Sequence, residues 1–119
     1  MQNHELTGFT LPYEKLDCYS ISLQLIELVA EIRKIRGLPA AAKDQLTRAA
    51  MSVSLNIAEG TGKTGKDRKR FYAIARGSAL ESGAALDVMI ALQVMGKKDH
   101  AMGNHLCSRL YAMLTKMMH

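Results

Sequence analysis

Apolar residues recur along most of this chain at intervals of three and four, the spacing that places side chains on one side of an α-helix. From Cys18 through Ile21, Leu25, Leu28, Ile32 and Ile35 the steps are 3, 4, 3, 4 and 3, which predicts a first helix over about Glu14 to Arg36. Tyr19, Leu23, Ile26 and Ala30 run beside that stripe and widen it. Gly37 suits the end of this helix, and Pro39 suits the first turn of the next.

A second helix is expected over about Pro39 to Glu59, with Leu46, Ala49, Ala50, Val53 and Ile57 facing inward, and it stops at Gly60-Thr61-Gly62. A third is expected from about Thr64 to Met95, where Thr64 and Asp67 stand at capping-box spacing and Gly96 closes the helix. Its inward positions are Phe71, Ile74, Ala75, Ser78, Ala79, Ser82, Leu86, Met89 and Met95. Small residues crowd its middle and allow a neighbouring helix to come close. A fourth helix starts near Asp99, a good N-cap, and runs to the C-terminus. Met102, Leu106, Leu110, Met113 and Met117 form its stripe, widened by Cys107, Leu114 and Met118. Four helices with short connections pack most simply as an all-α, antiparallel up-and-down four-helix bundle.

Composition agrees with that expectation. A chain of 119 residues fits a single domain, 1–119, with 1–12 as an irregular tail. Trp is absent and aromatic residues make up 5%, which argues against a large β-sandwich. Cys18 and Cys107 have no metal-like spacing and read as reduced core thiols. The first twelve residues lack the basic start and apolar stretch of a secretion signal, and no apolar run approaches the ~20 residues that cross a bilayer. A soluble, cytoplasmic protein is expected. The first and fourth helices are apolar over more than one stripe, so part of that surface is expected between subunits of a homo-oligomer.

Charge adds a functional candidate. Residues 1–60 hold six Lys or Arg against seven Asp or Glu, and residues 77–119 hold four against three. Residues 61–76 hold Lys63, Lys66, Arg68, Lys69, Arg70 and Arg76 against Asp67 alone, a net of +5. Cations at the start of a helix oppose its dipole, so helix stability does not account for them. Contact with a phosphate backbone would account for them, through counterion release. A solvated face that aids solubility is the simpler alternative. Phe71 and Tyr72 are the only interleaved aromatics, so base stacking is not strongly indicated.

Other chemistry is poorly supported. Gly62-Lys63-Thr64 resembles the end of a phosphate-binding loop, but the pattern needs glycine where Ile57 stands and a strand before the loop. His100 and His105 are five apart and do not share a helix face, and His4 and His119 are near the termini. No metal site, cofactor site or catalytic constellation is expected. Arg48, Asn56, Glu59, Arg76 and Glu81 interrupt apolar helix faces and are expected to form a buried polar network that fixes helix register.

The run from Gln45 to Glu81 supports a comparison. Arg48-Ala49-Ala50, then Ser52, then Asn56-Ile57-Ala58-Glu59-Gly60, then Phe71, Ala75-Arg76-Gly77-Ser78 and Glu81 resemble the bacterial four-helix bundle family, also called the 23S rRNA intervening-sequence protein family. The resemblance implies up-and-down bundles assembled as homopentamers, some encoded within insertions in 23S ribosomal RNA genes. A related branch serves diversity-generating retroelements as an accessory protein that binds nucleic acid and a reverse transcriptase. No enzymatic activity is implied, and the five network residues match family positions as fold-specifying groups. The expectation is a non-enzymatic homo-oligomeric module contacting RNA or DNA through Lys63, Lys66, Arg68, Lys69 and Arg70. The alternative is a scaffold that recruits a protein such as a reverse transcriptase.

Overall fold

The computed structural model describes residues 10–119, so His4 and most of the expected tail lie outside the described residues. A 3-10 turn, Pro12–Lys15, leads into α1 (Asp17–Ile32), α2 (Ala40–Thr61), α3 (Gly65–Ala91) and α4 (Lys97–Met117). Each helix packs on the next in sequence, and α4 returns to pack on α1, which closes an antiparallel four-helix bundle. No strand occurs among the described residues.

Local chemistry shifts several helix ends from their expected places. Leu16 is extended, at φ −82° and ψ 125°, so the first helix begins at Asp17 rather than Glu14. It ends at Ile32 because the chain turns through Arg33–Arg36 into Gly37, whose φ of +83° is the left-handed conformation that glycine tolerates. The stripe nevertheless reaches Ile35, which lies half-buried against the core from the turn.

The third helix ends at Ala91, not near Gly96. Gln93 takes φ +63°, its N–H donates to the Ile90 carbonyl at 3.0 Å, and the Val94 N–H donates to the Met89 carbonyl at 3.2 Å. That pair of bonds is a Schellman ending with glutamine at the left-handed position. Gly96 instead occupies the N-cap position of α4, which places Asp99 inside the first turn rather than at the cap. Thr64 occupies the N-cap position of α3 but makes no side-chain cap bond, so the capping box is not formed.

The core stripes follow the expected period with some substitutions. Cys18, Ile21, Leu25, Leu28 and Ile32 are buried on α1, but Ser22 and Val29 flank them, while Leu23 and Ala30 are exposed. All five expected positions of α2 are buried. On α3, Tyr72 is buried where Phe71 and Ile74 were expected; Phe71 is half-buried and Ile74 is exposed. On α4, Met102 points outward and Gly103 is buried in its place. A Cβ at Gly103 would lie 2.4 Å from Leu86 Cδ1 and 3.4 Å from Leu28 Cδ2. Bare backbone at that point lets α4 approach α3 and α1 together.

Serines supply the buried polar contacts. Ser54 Oγ donates to Ser22 Oγ at 2.8 Å, joining α2 to α1, and Ser78 Oγ donates to Ser52 Oγ at 2.7 Å, joining α3 to α2. Ser22 and Ser82 close their own valences on the Tyr19 and Ser78 carbonyls. Among the described residues no buried side-chain nitrogen or oxygen lacks a partner, as expected of a well-satisfied interior.

The exposed apolar surface lies mainly on α2 and α3, whereas α1 and α4 were expected to carry it. Met51 and Leu55 on α2 and Ile74, Leu80 and Val88 on α3 are exposed, followed by Leu92 just past the end of α3. The other two helices expose Leu23, Met102 and Tyr111.

Candidate nucleic-acid interface

The basic segment lies at the turn between α2 and α3, at the end of the bundle where α1 begins and α4 finishes. The 3-10 turn packs on both α1 and α2 there. This end therefore gathers Lys15 and Lys116 beside the basic segment, and also Glu14, Asp17, Glu59 and Asp67.

The backbone at this turn is fixed by close packing. A Cβ at Gly60 would lie 2.9 Å from the Tyr72 ring and 3.0 Å from Phe71 Cβ. The buried Tyr72 shares a hydrogen bond of 3.0 Å with Thr61 Oγ1, and Thr61 Oγ1 also lies 2.8 Å from the Ile57 carbonyl. The first turns of α3 are thereby held against the last turns of α2.

Within this frame the five candidate cations divide into two groups. Arg68 Nε donates to the Lys63 carbonyl at 2.9 Å, and Nη2 donates to the Thr61 carbonyl at 3.2 Å. Those carbonyls are left open where α2 ends, so Arg68 closes the helix C-terminus from the next helix. Lys63 pairs with Glu59 at 3.3 Å and lies 5.8 Å from the Phe71 ring centroid. Arg70 sits 4.6 Å from the same centroid and 3.8 Å from Asp67. These two cations flank one half-buried ring, an arrangement favoured by the ring quadrupole. Lys66 and Lys69 are exposed and have no acidic partner among the described residues. Three of the five cations thus have local structural contacts, and two point only to solvent.

The expected network of Arg48, Asn56, Glu59, Arg76 and Glu81 is not assembled within this chain. Asn56 Nδ2 donates to the Ser52 carbonyl and to Ser52 Oγ, at 2.8 and 3.0 Å on its own helix. Glu59 meets Lys63, Glu81 accepts from Gln45 Nε2, and Arg48 is exposed. Arg76 donates to Thr115 Oγ1 at 3.1 Å and lies 5.3 Å from the Tyr111 ring centroid, tying α3 to α4. Charged groups at these helix edges reach solvent-facing partners more cheaply than partners in a dry core. Serine, short enough to lie between packed helices, makes the buried cross-helix bonds, while Arg76 and Glu81 make theirs at the helix edges. Ser22, Ser52, Ser54 and Ser78 are the polar residues that link neighbouring helices in register.

Other reactive side chains have structural surroundings. Cys18 and Cys107 are both buried and unpaired, and burial pushes each thiol up to about 11 from 9.0. Cys18 Sγ lies 3.4 Å from Met117 Sδ, across α1 and α4. His100 Nε2 meets Asp87 Oδ1 at 2.7 Å between α4 and α3. Among the described residues no group of three or more His, Cys, Asp or Glu could hold a metal ion, and no helix is long and apolar enough to cross a membrane. Gly62-Lys63-Thr64 follows a helix and precedes another, which is not the strand-first setting of a phosphate-binding loop.

Comparison with known proteins adds three findings. The family model described as 23S rRNA-intervening sequence protein matches residues 14–116. Among the curated proteins none matches this sequence. Among solved structures, the chain is similar to a protein of unknown function from the S23 ribosomal protein family of Bacteroides thetaiotaomicron. The identity is 17% and the TM-score 0.80, with 85% of this chain and 97% of that one covered. At that identity the likeness speaks for the fold alone.

Proposed function

The chain belongs to the 23S rRNA-intervening sequence protein family, and from that premise we propose that it is a non-enzymatic, homo-oligomeric protein that contacts RNA or DNA through residues 63–76. The observation that carries this reading is the pair Lys66 and Lys69, exposed on the first turns of α3 with no acidic partner among the described residues. Their charges are available to phosphates, and Lys63 and Arg70 stand beside them in orientations fixed by Phe71. Association with 23S rRNA intervening sequences is the setting the family suggests.

Self-association is supported by the apolar residues left outward on α2 and α3. Met51 is 47% exposed, Leu55 62%, Leu80 58% and Val88 53%, more apolar surface than scattered single residues leave. A pentamer is the assembly that the family resemblance suggests. The same surface favours a second reading, a scaffold that recruits a protein such as a reverse transcriptase; a neighbouring gene for that enzyme would favour it over the first.

The test is salt-titrated binding to a structured RNA. The unaltered chain should lose affinity steeply with salt. The double variant Lys66→Ala, Lys69→Ala should lower the slope of log affinity on log salt by about 1–2, since each phosphate contact contributes about 0.7–0.9. Unchanged affinity and slope in that variant would sink the reading. Arg68 is left in place because its loss would open the end of α2.

A further inference from the structure

The up-and-down topology brings a second set of cations together at the opposite end of the bundle. Arg33, Lys34 and Arg36 follow the last turn of α1, Lys43 lies in the first turn of α2, and Lys97 and Lys98 open α4. In sequence they are scattered, and the first half of the chain carries a net of −1. In the fold they share one rim. Glu31 and Met102 line the same groove between α1 and α4, so the residues one turn beyond each, near Lys34 and Lys98, stand at the same level. Arg33 Nη1 donates to Thr47 Oγ1 at 2.6 Å, and Thr47 Oγ1 lies 2.8 Å from the Lys43 carbonyl, which joins the rim to α2.

The acids at this end offset the cations only in part. Glu31 meets Lys34 at 3.2 Å, Asp87 meets His100, and Asp44 and Asp99 make no ion pair among the described residues. Arg36, Lys43, Lys97 and Lys98 therefore have neither an ion pair nor a side-chain hydrogen bond among the described residues, a condition that only Lys66 and Lys69 meet within the basic segment at the other end. The 27 residues of α3 separate the two ends by about 40 Å at 1.5 Å per residue. That distance is several Debye lengths at physiological salt, so the two surfaces act on separate phosphates.

From this we infer that the rim of Arg33, Lys34, Arg36, Lys43, Lys97 and Lys98 is a second polyanion-binding surface, and that the bundle bridges two nucleic-acid segments, one at each end. The inference rests on the reading that the turn between α2 and α3 contacts nucleic acid, and it adds a second site and a linking role. Lysine and arginine side chains at both surfaces suit contacts to backbone phosphate.

The experiment mixes the full chain with two short duplex RNAs of mixed sequence, one carrying a donor dye and the other an acceptor. Energy transfer between them reports bridging, and anisotropy of either duplex alone reports single-site binding. The unaltered chain should bind and bridge. The triple variant Arg36→Ala, Lys97→Ala, Lys98→Ala should lose at least tenfold in bridging signal while single-duplex binding at the other end persists. Lys66→Ala, Lys69→Ala should lose bridging as well. If the triple variant bridges as well as the unaltered chain, the far rim is a solvated face, or bridging passes between copies, and the inference is overturned. If the unaltered chain binds no duplex, the proposed function itself fails. Because all three positions are exposed, an unchanged helical circular-dichroism spectrum is expected and separates loss of binding from loss of fold.

Discussion

The α1–α4 side of the bundle and the α2–α3 side both bury large apolar residues, but the α2–α3 side leaves more of them outward. Leu25, Leu28 and Ile32 on α1 and Leu106, Leu110 and Leu114 on α4 point inward and are buried. On α2 and α3 the inward positions include many small residues: Ala49, Ala50 and Ser54 on one helix, Ala75, Ser78, Ala79 and Ser82 on the other. Leu46, Val53 and Ile57 on α2 and Tyr72, Leu86 and Met89 on α3 are buried as well, but the large residues Met51, Leu55, Ile74, Leu80 and Val88 face out. Small inward residues let the two helices approach closely, and the bulky outward positions are left for another surface. Both sides thus contribute to the core, and the α2–α3 side in addition presents apolar surface that the single chain leaves uncovered.

The strongest way to break that comparison is to remove volume from the α1–α4 side. Leu110 is fully buried, and Leu110→Ala should cost about 2–5 kcal/mol through lost transfer energy and the cavity left behind. Chemical denaturation of the variant reads this directly. A loss below about 1 kcal/mol would mean that the buried leucines of the α1–α4 side contribute little to stability.

The thiols of the same side come next. Cys18 on α1 and Cys107 on α4 are raised from 9.0 to about 11 by burial. A raised folded-state value means that the folded state holds its proton more tightly than the unfolded one. The stability is fully present below about pH 9 and is lost as pH rises toward 11, by about 2–3 kcal/mol per thiol at complete ionisation. Unfolding midpoints measured across that window should fall, and the fall should shrink in Cys18→Ala, Cys107→Ala. The same burial predicts slow reaction of both thiols with a thiol reagent in the native protein.

Where the two sides meet, Gly103 and Leu86 set the spacing of α4 on α3. Gly103→Ala places a Cβ into the Leu86 methyl, and overpacking of this kind costs about 1–3 kcal/mol. Helix propensity favours alanine by about 1 kcal/mol, so the measured loss should sit at the lower part of that range. The double variant Gly103→Ala, Leu86→Val should recover part of it. On the α2–α1 contact, Ser54→Ala removes the hydrogen bond to Ser22 and should cost about 1 kcal/mol. Ser22 keeps its bond to the Tyr19 carbonyl, which is why the loss stays small.

How much of this was legible in the sequence follows from what each feature depends on. The α1 stripe from Cys18 to Ile32 and the α2 stripe from Leu46 to Ile57 are set by helical period, and the family motif lies across α2 and α3. Helix ends depend on single backbone conformations, so a Schellman ending at Gln93 went unseen while Gly96 looked the better stop. Arg68 looked like a free cation because the carbonyls it closes belong to the last residue of the preceding helix and to the turn after it. The charged residues of α2 and α3 suggested an internal network, but short serines reach between closely packed helices and long charged side chains reach outward. The second basic rim was hidden for a similar reason, since only the folded topology brings residues 33–36, 43 and 97–98 to one end of the bundle.

The smallest expected change in the stability of the chain falls on the α2–α3 side, and it carries the most information about what that side is for. Leu55 is 62% exposed on α2, and a substitution at so open a site usually changes the stability of the chain itself by less than about 0.5 kcal/mol. Leu55→Glu should therefore leave the helical spectrum unchanged. If copies of the chain meet through the outward apolar face, a carboxylate there must be desolvated against an apolar neighbour, which costs far more than the exposed chain feels. Sedimentation velocity should then show an oligomer for the unaltered chain and a smaller species for Leu55→Glu, with Val88→Glu on α3 behaving alike. Leu55→Gln, similar in size but uncharged, should dissociate the assembly less. An assembly that withstands both charged variants would assign the outward face of α2 and α3 to some other contact and leave the comparison between the two sides of the bundle without its functional half.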